Sequence, residues 1–164
     1  MSYETTVKNV YKNSTLASVL RLVSLTATLL CGAVFIAVLV IAALESIGLA
    51  VSVAVSFGVP FLAVSAVRRL INLPRPYEVF DFGDAAPKKK SGRSFPSRHA
   101  FSAFAIAAAA TAVSLPLAIT AFVLGAALSV SRVLLGIHFP KDVAVGALIG
   151  ILGILIGFWI FAVI

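Results

Sequence analysis

Long apolar runs separated by short polar breaks dominate the chain. A helix that crosses a bilayer needs roughly 20 mostly apolar residues, and five stretches meet that requirement. They are Leu22–Leu44, Ile47 to about Val67, Ser97 to about Leu115, Leu117 to about Ile137, and Pro140–Ile164. The breaks fall at polar residues or at proline, namely Glu45-Ser46, Arg68-Arg69 and Pro116. This pattern predicts an all-α polytopic membrane helix bundle of about five spans.

Two segments fall outside the apolar pattern. Residues 71–96 carry prolines, aspartates and a run of three lysines, so they are too charged to cross the membrane and form a polar loop. Residues 1–15 are polar and lack the character of a cleavable signal peptide. They are compatible with an interfacial helix lying flat on the membrane surface. The length suits a single membrane-embedded domain, 1–164.

The composition supports a membrane protein. Hydrophobic residues make up 61% of the chain, charged residues make up 12%, and the mean hydropathy is +1.12. A soluble domain needs more polar surface than this, whereas a bilayer hides apolar surface in lipid. The single cysteine, Cys31, lies in an apolar run, so neither a disulfide nor a zinc cluster is available within the chain.

The charge is strongly positive and unevenly placed. Thirteen Lys and Arg against six Asp and Glu give a net charge of +7. With five spans, the N-terminus, the 71–96 loop and the 138–142 junction share one face, and all the bases lie on or near it. This favours phosphorylated lipids and the bilayer surface, rather than nucleic acid, as partners. The positive-inside rule predicts a cytoplasmic face, although bases used for chemistry weaken that inference.

The last span carries a regular series of glycines. They are Gly146, Gly150, Gly153 and Gly157, spaced four, three and four residues apart. This spacing places them on one helical stripe, where a neighbouring helix can approach closely. The alternative is that glycine is simply common in membrane helices.

Two polar clusters at span ends suit a phosphate group. Arg68 and Arg75 are seven residues apart, so they point in one direction if the helix persists to Pro74. Two guanidinium groups can grip a phosphate by forked hydrogen bonds, although such bases also serve as a stop at the membrane surface. In the second cluster, Ser97 is a favourable N-cap whose helix start offers free backbone N–H groups to an anion. It is followed by Arg98, which adds charge, and by His99, which could donate a proton to a leaving group. Taken alone, this cluster is more simply explained as an ordinary helix start followed by an interfacial histidine.

A third cluster lies between the last two spans. Arg132 is near the end of an apolar span, where an unpaired charge is costly and indicates a functional partner. A carboxylate at Asp142, four residues after His138, can hold one ring nitrogen as N–H and leave the other as a nucleophile. Asp142 also suits a helix N-terminus for purely structural reasons. That explanation does not account for Arg132 and His138.

Taken together, the three clusters resemble the type 2 phosphatidic acid phosphatase superfamily of membrane enzymes. The family pattern is a base, six residues, Arg-Pro; then Pro-Ser-Gly-His; then Ser-Arg, five residues, His, three residues, Asp. The chain has Arg68, Arg75-Pro76, Pro96-Ser97-Arg98-His99, Ser131-Arg132, His138 and Asp142 in the same order and spacing. The resemblance places the active-site elements within residues 68–142. The chain departs from the pattern with arginine for lysine at 68, arginine for glycine at 98, and five spans where many relatives have six.

The resemblance implies a metal-independent phosphatase without a cofactor. In this family scheme His138 attacks phosphorus and becomes a phosphohistidine, while Asp142 orients it. His99 protonates the leaving oxygen and later activates water. The phosphoryl oxygens would be held by Arg68, Arg75, Ser97, the Arg98 backbone and Arg132.

Several substrates and classes stay open at this stage. A polyprenyl diphosphate such as undecaprenyl diphosphate is favoured, with phosphatidate, phosphatidylglycerol phosphate or another prenyl phosphate as close alternatives. Vanadate-dependent haloperoxidases share the family's site but are soluble. A non-catalytic protein that binds anionic lipids is disfavoured by His99, His138 and Asp142 together. The resemblance suggests a bacterial cell membrane, where relatives that recycle prenyl carriers generally face outward, and it leaves the oligomeric state open.

Overall fold

The computed structural model describes residues 2–83, 86 and 91–163. Its helices are α1 (Tyr3–Lys12), α2 (Ser14–Glu45), α3 (Ile47–Ile71), α4 (Pro76–Val79), α5 (Arg98–Ala110), α6 (Leu115–Leu134) and α7 (Pro140–Val163). Within the described residues, four segments are long and apolar enough to cross a membrane: Ser14–Glu45, Ile47–Val79, Leu115–Leu134 and Pro140–Val163. The predicted all-α membrane bundle is confirmed. The run Lys88-Lys89-Lys90 of the predicted polar loop lies outside the described residues.

The third predicted span differs from the prediction. Helix α5 has 13 residues, which corresponds to a length of about 20 Å against a hydrocarbon core of about 30 Å. It ends in a turn at residues 111–113, before α6 begins. Most of its residues are buried, and it contacts α2, α3, α6 and α7. It is therefore the central helix of the bundle, and its hydrophobicity reflects packing against protein rather than exposure to lipid.

Serine side chains mark where the helices begin. The hydroxyl groups of Ser46, Ser97 and Ser114 accept hydrogen bonds from the backbone N–H groups of Leu49, Ala100 and Leu117. These bonds satisfy donors that have no partner inside the first turn of a helix. The helix start predicted at Ser97 is thus confirmed, and it fixes where Arg98 and His99 emerge.

The glycines of α7 do pack against neighbouring helices. A Cβ atom at Gly146 would lie 2.5 Å from the Ser97 carbonyl oxygen, and one at Gly150 would collide with the carbonyl oxygen of Phe101. The other two glycines of the stripe face Pro60 and Ser56 of α3. The first half of the stripe therefore contacts α5 and the second half contacts α3. Contact at Gly146 brings the starts of α5 and α7 together, and those starts carry the catalytic candidates.

Alanine at Gly150 should destabilise the bundle. The new methyl group would meet the backbone of α5, which cannot move aside without shifting the helix. We expect the unfolding free energy to fall by about 1–3 kcal/mol, measured as a lower unfolding midpoint in detergent. Alanine at Gly32 is the matched control, because nothing lies within 4 Å of its Cβ position. Equal midpoints for the two variants would contradict the close approach of α7 to α5.

Candidate active site

A polar cavity of about 700 Å³ opens at the end of the bundle where α3 ends and α5 and α7 begin. Its lining includes both histidines and six arginines: His99, His138, Arg68, Arg69, Arg75, Arg93, Arg98 and Arg132. The structure thus brings most of the predicted site residues to one cavity. Ser97 and Asp142 are both buried and do not line the cavity. Asp142 lies next to His138, which does line it, and Ser97 directly precedes Arg98.

His138 is backed by a serine and a carboxylate. Its Nδ1 atom lies 3.6 Å from Oδ2 of Asp142, which is too long for a direct hydrogen bond. The hydroxyl of Ser94 contacts both groups: its oxygen lies 2.5 Å from Asp142 Oδ2 and 3.4 Å from His138 Nδ1. The backbone N–H of Phe139 also donates to Oδ2 at 3.0 Å. A hydroxyl that donates to the carboxylate can accept from the ring, so Ser94 and Asp142 together favour the tautomer with hydrogen on Nδ1.

The surroundings of His138 keep its ring neutral. The residue is only 1% exposed, and burial lowers the pKa of His138 to about 4, although Asp142 opposes the shift and Arg75 adds to it. Neutral imidazole has a lone pair on the nitrogen without hydrogen. With Nδ1 directed at Ser94 and Asp142, Nε2 is the nitrogen that carries it. This is the state that nucleophilic attack requires.

Titration of His138 can be observed directly, because the chain contains two histidines. In a His99→Gln variant, His138 is the only histidine, and its ¹⁵N ring shifts report its protonation once any affinity tag is removed. We expect the ring to stay neutral as the pH falls below 6.5, with a midpoint near 4. The reciprocal His138→Gln variant reports His99 as a control. A midpoint for His138 at or above 6.5 would contradict the buried, neutral state.

The backbone structure that brings Arg68 and Arg75 to the cavity differs from the predicted continuous helix. Helix α3 ends at Ile71, and Asn72 adopts a left-handed conformation with φ of 45°. The helix therefore does not persist to Pro74, and the two-turn spacing is not what aligns the arginines. Arg68 instead lies inside α3, whereas Arg75 directly precedes α4. The chain reversal after α3 brings both guanidinium groups to the same cavity.

Both guanidinium groups also donate hydrogen bonds to backbone carbonyls of the loop that precedes α5, and Arg75 donates one to the segment that precedes α7. Arg68 donates to the carbonyl oxygen of Ser94 at 3.0 Å and to that of Pro96. Arg75 donates from Nε to the Gly92 carbonyl at 3.0 Å and from Nη1 to the Ile137 carbonyl at 3.4 Å. A guanidinium has five N–H groups in a rigid fork, so these bonds orient the arginines and leave further donors for an anion.

Arg132 and Ser97 differ in how they meet the cavity. Within the described part of the chain, Nε of Arg132 is buried without a hydrogen-bond partner. An unsatisfied buried donor is costly unless a bound group completes it, so the geometry suits an incoming acceptor. Ser97 uses its hydroxyl to cap α5 and its N–H to bond the Asp142 carbonyl at 2.8 Å. Direct contact of Ser97 with phosphate stays a prediction.

Comparison with known families identifies the fold. Residues 46–163 match the profile of the PAP2 superfamily. The chain belongs to this superfamily. The resemblance drawn from the three clusters is thereby confirmed, and α1 and α2 lie before the matched region. A search of curated proteins gives no match.

Two solved structures share the arrangement of helices. One is the crystal structure of Aquifex aeolicus LpxE, with a TM-score of 0.72, 24% identity, and coverage of 93% of this chain and 90% of that chain. The other is a transmembrane PAP2 type phosphatidylglycerolphosphate phosphatase from Bacillus subtilis. It has a TM-score of 0.69, 22% identity, and coverage of 99% of this chain and 85% of that chain. The chain is thus an integral membrane protein with the fold of PAP2 lipid phosphatases.

Two residues of this PAP2 site, Ser94 and Glu78, were not predicted from the sequence. Ser94 is fully buried against Asp142 and His138, yet an isolated serine in a polar loop carries no distinguishing signal. Glu78 accepts hydrogen bonds from the backbone N–H groups of Arg75 and Gly92 and from the Ser91 hydroxyl. It therefore ties the segment that carries Arg75 to the loop before α5. The pairing joins residues 13 to 14 positions apart across a chain reversal, which local pattern does not reveal.

Proposed function

We propose that the chain hydrolyses a lipid phosphate or diphosphate through a phosphohistidine at His138, with a polyprenyl diphosphate such as undecaprenyl diphosphate as the favoured substrate. The observation that carries the proposal is the buried His138, beside Ser94 and Asp142, at a cavity lined by six arginines. Such an arrangement combines a nucleophile with donors for the charge that develops on a transferring phosphoryl group.

The proposed reaction has two displacements at phosphorus. Nε2 of His138 forms a bond to the terminal phosphorus while the bond from that phosphorus to the leaving oxygen breaks, and His99 gives the leaving oxygen a proton. The leaving oxygen is the bridging oxygen of a diphosphate or the ester oxygen of a monophosphate. Water then attacks the phosphohistidine, His99 takes a proton from the water, and the bond between nitrogen and phosphorus breaks. Arg68, Arg75 and Arg132 hold the equatorial oxygens in both steps. The products are inorganic phosphate and a lipid that has lost one phosphate.

A second cavity supports a lipid as the leaving group. It has a volume of about 370 Å³ and an apolar lining that includes Phe35, Phe57 and Phe61. It shares Arg98 and His99 with the polar cavity. A hydrocarbon chain in the apolar cavity would therefore place the phosphorylated end of the lipid beside His99, which suits the proposed proton donor.

The cavity contains more arginines than a single phosphate needs, which favours a diphosphate as the substrate. Arg68, Arg75 and Arg132 are buried or half-buried and form the inner set, whereas Arg69, Arg93 and Arg98 are exposed and form the outer set. A phosphate monoester carries a charge of about −1.5 to −2 at pH 7, which the inner set alone can balance. The outer set supplies further positive charge that a second phosphate can contact.

A panel of lipid substrates tests both the proposed phosphatase activity and the proposed choice of substrate. The purified protein in detergent should release phosphate from at least one of four substrates: a polyprenyl diphosphate, a polyprenyl monophosphate, phosphatidate and phosphatidylglycerol phosphate. We expect release to persist in excess EDTA, since the proposed steps need no metal. Lipid binding without release from any substrate would instead favour a non-catalytic lipid-binding protein.

The preference for a diphosphate is tested by removing outer charges. A variant with Arg69→Gln and Arg93→Gln should have a roughly tenfold lower kcat/KM for the diphosphate. The reason is that each substitution removes a guanidinium group that would bind the second phosphate. The same variant should lower kcat/KM for the monophosphate by less than about threefold. Lys12→Gln, which changes an exposed charge of α1, is the control. Equal losses on both substrates would overturn the diphosphate preference.

The membrane of a bacterial cell is the proposed location, with the site on the cytoplasmic face, as the charge distribution indicates. Helix α2 offers a test, because it has one end beside α1 and the other at Glu45. Cysteines introduced at Lys12 and Glu45, both exposed, should differ in labelling by an impermeant maleimide in intact cells. The proposal requires labelling at position 45 alone. Labelling at position 12 alone would place the site outside.

A further inference from the structure

Helix α1 packs against the segment that carries His138. Tyr3, Val7, Val10 and Tyr11 follow one another at helical spacing, and Val7 and Val10 are buried. Polar residues such as Lys8 and Lys12 cover the opposite, exposed face. The predicted N-terminal helix is present, and its contact with the membrane surface stays a prediction. Its apolar side is occupied by protein, which indicates a role inside the molecule.

Two tyrosines of α1 bond to backbone carbonyls near the site. The hydroxyl of Tyr3 lies 3.2 Å from the carbonyl oxygens of both Val133 and His138, and the hydroxyl of Tyr11 donates to Leu135 at 2.9 Å. Val133 is in the last turn of α6, whereas Leu135 and His138 follow the end of that helix. Burial raises the pKa of the Tyr3 hydroxyl, so it remains a hydrogen donor at any physiological pH.

The turn between α6 and His138 is also packed closely. Gly136 has a φ of 64°, and a Cβ atom there would lie 2.7 Å from the Phe82 ring and 3.1 Å from the Val7 side chain. The Tyr3 ring lies against Phe139, with ring centroids 5.7 Å apart. Hydrogen bonds from α1 and these apolar contacts therefore hold the backbone on both sides of His138.

We propose that Tyr3 is a positioning residue for the His138 nucleophile, which α1 holds through the carbonyl of His138 itself. This inference rests on the proposed function, because it takes His138 to be the attacking group. Attack at phosphorus depends steeply on the approach of the nucleophile, and a displacement of about 1 Å costs on the order of 10²-fold in rate. Loss of the bond to the His138 carbonyl would let the turn relax and would slow attack without removing any group that touches the substrate.

The test compares two variants that each lose one hydroxyl group. Tyr3→Phe keeps the ring against Phe139 and removes the contacts of the hydroxyl with the Val133 and His138 carbonyls, whereas Tyr11→Phe removes the bond to Leu135. We expect Tyr3→Phe to lower kcat roughly fivefold to tenfold with KM changed by less than about twofold. The rate of phosphohistidine formation, followed by rapid quench, should fall by the same factor. Tyr11→Phe should change kcat by less than about twofold, while both variants lose similar thermal stability.

Three outcomes would overturn the inference. They are an unchanged kcat in Tyr3→Phe, an equal fall in kcat in Tyr11→Phe, and a change confined to KM. Any of these would show that α1 contributes only stability. Failure of the proposed function is distinguishable, because the wild-type protein itself would then release no phosphate from the lipid panel.

Discussion

Alanine in place of His138 should abolish phosphate release. The substitution removes the only group proposed to form a bond with phosphorus, so we expect kcat to fall on the order of 10⁴-fold or more on the best lipid substrate. The measurement is phosphate release from purified protein in detergent, together with a search for phosphate attached to protein. The wild type should give an alkali-stable, acid-labile phosphohistidine, and the variant should give none.

Lys141→Ala is the matched control for this loss. Lys141 lies three residues after His138 but is exposed and contacts the Phe139 ring, so its removal should leave kcat within about threefold of the wild type. An unfolding midpoint near that of the wild type would show that His138→Ala keeps the fold. If His138→Ala retained more than a tenth of the activity, the phosphohistidine mechanism would be wrong.

Asparagine at Asp142 should lower kcat by about 10³-fold. The amide keeps the size of the carboxylate but loses the charge that stabilises His138 when it bears a phosphoryl group. The amide can also turn its NH₂ group toward Ser94, which would reverse the hydrogen bond at 2.5 Å and disfavour the tautomer with hydrogen on Nδ1. The measurement is kcat with the same lipid, at a substrate concentration well above KM.

Ser94→Ala gives the graded comparison for Asp142→Asn. It removes the hydroxyl between the ring and the carboxylate but leaves Asp142 charged and bonded to the Phe139 N–H. We therefore expect a smaller loss, of about tenfold to 10²-fold. A loss in Ser94→Ala that equals the loss in Asp142→Asn would mean that the carboxylate acts only through Ser94. Full activity in Asp142→Asn would exclude its proposed role.

The features predicted well from sequence are those that depend on local pattern. Apolar runs define membrane helices because the bilayer imposes one length and one polarity on them, and four of the predicted spans have matching helices. The motif residues occupy helix ends, where spacing along the chain decides which face of the membrane they reach. For this reason the sequence alone predicts that Arg98, His99 and His138 share one face, and all three line the polar cavity.

The features that sequence does not reveal depend on contacts between distant segments. Hydropathy does not distinguish a helix that faces lipid from one that is buried in protein, so it predicts a full span at α5, which is short and central. Ser94 and Tyr3 reach His138 across 44 and 135 residues of sequence. A single serine or tyrosine gives no indication in the sequence that it will contact a residue so far along the chain. The position of Arg75 agrees with the prediction for a different reason, because the helix before it ends at Ile71.

The arginine-lined cavity also has a consequence for turnover. A site that binds a lipid phosphate through six guanidinium groups will bind the inorganic phosphate it releases. The released phosphate would then compete with the lipid for the cavity, and screening by salt would weaken this competition. Phosphate buffers would act as competitive inhibitors, so the choice of buffer alone would change the rate that an assay records.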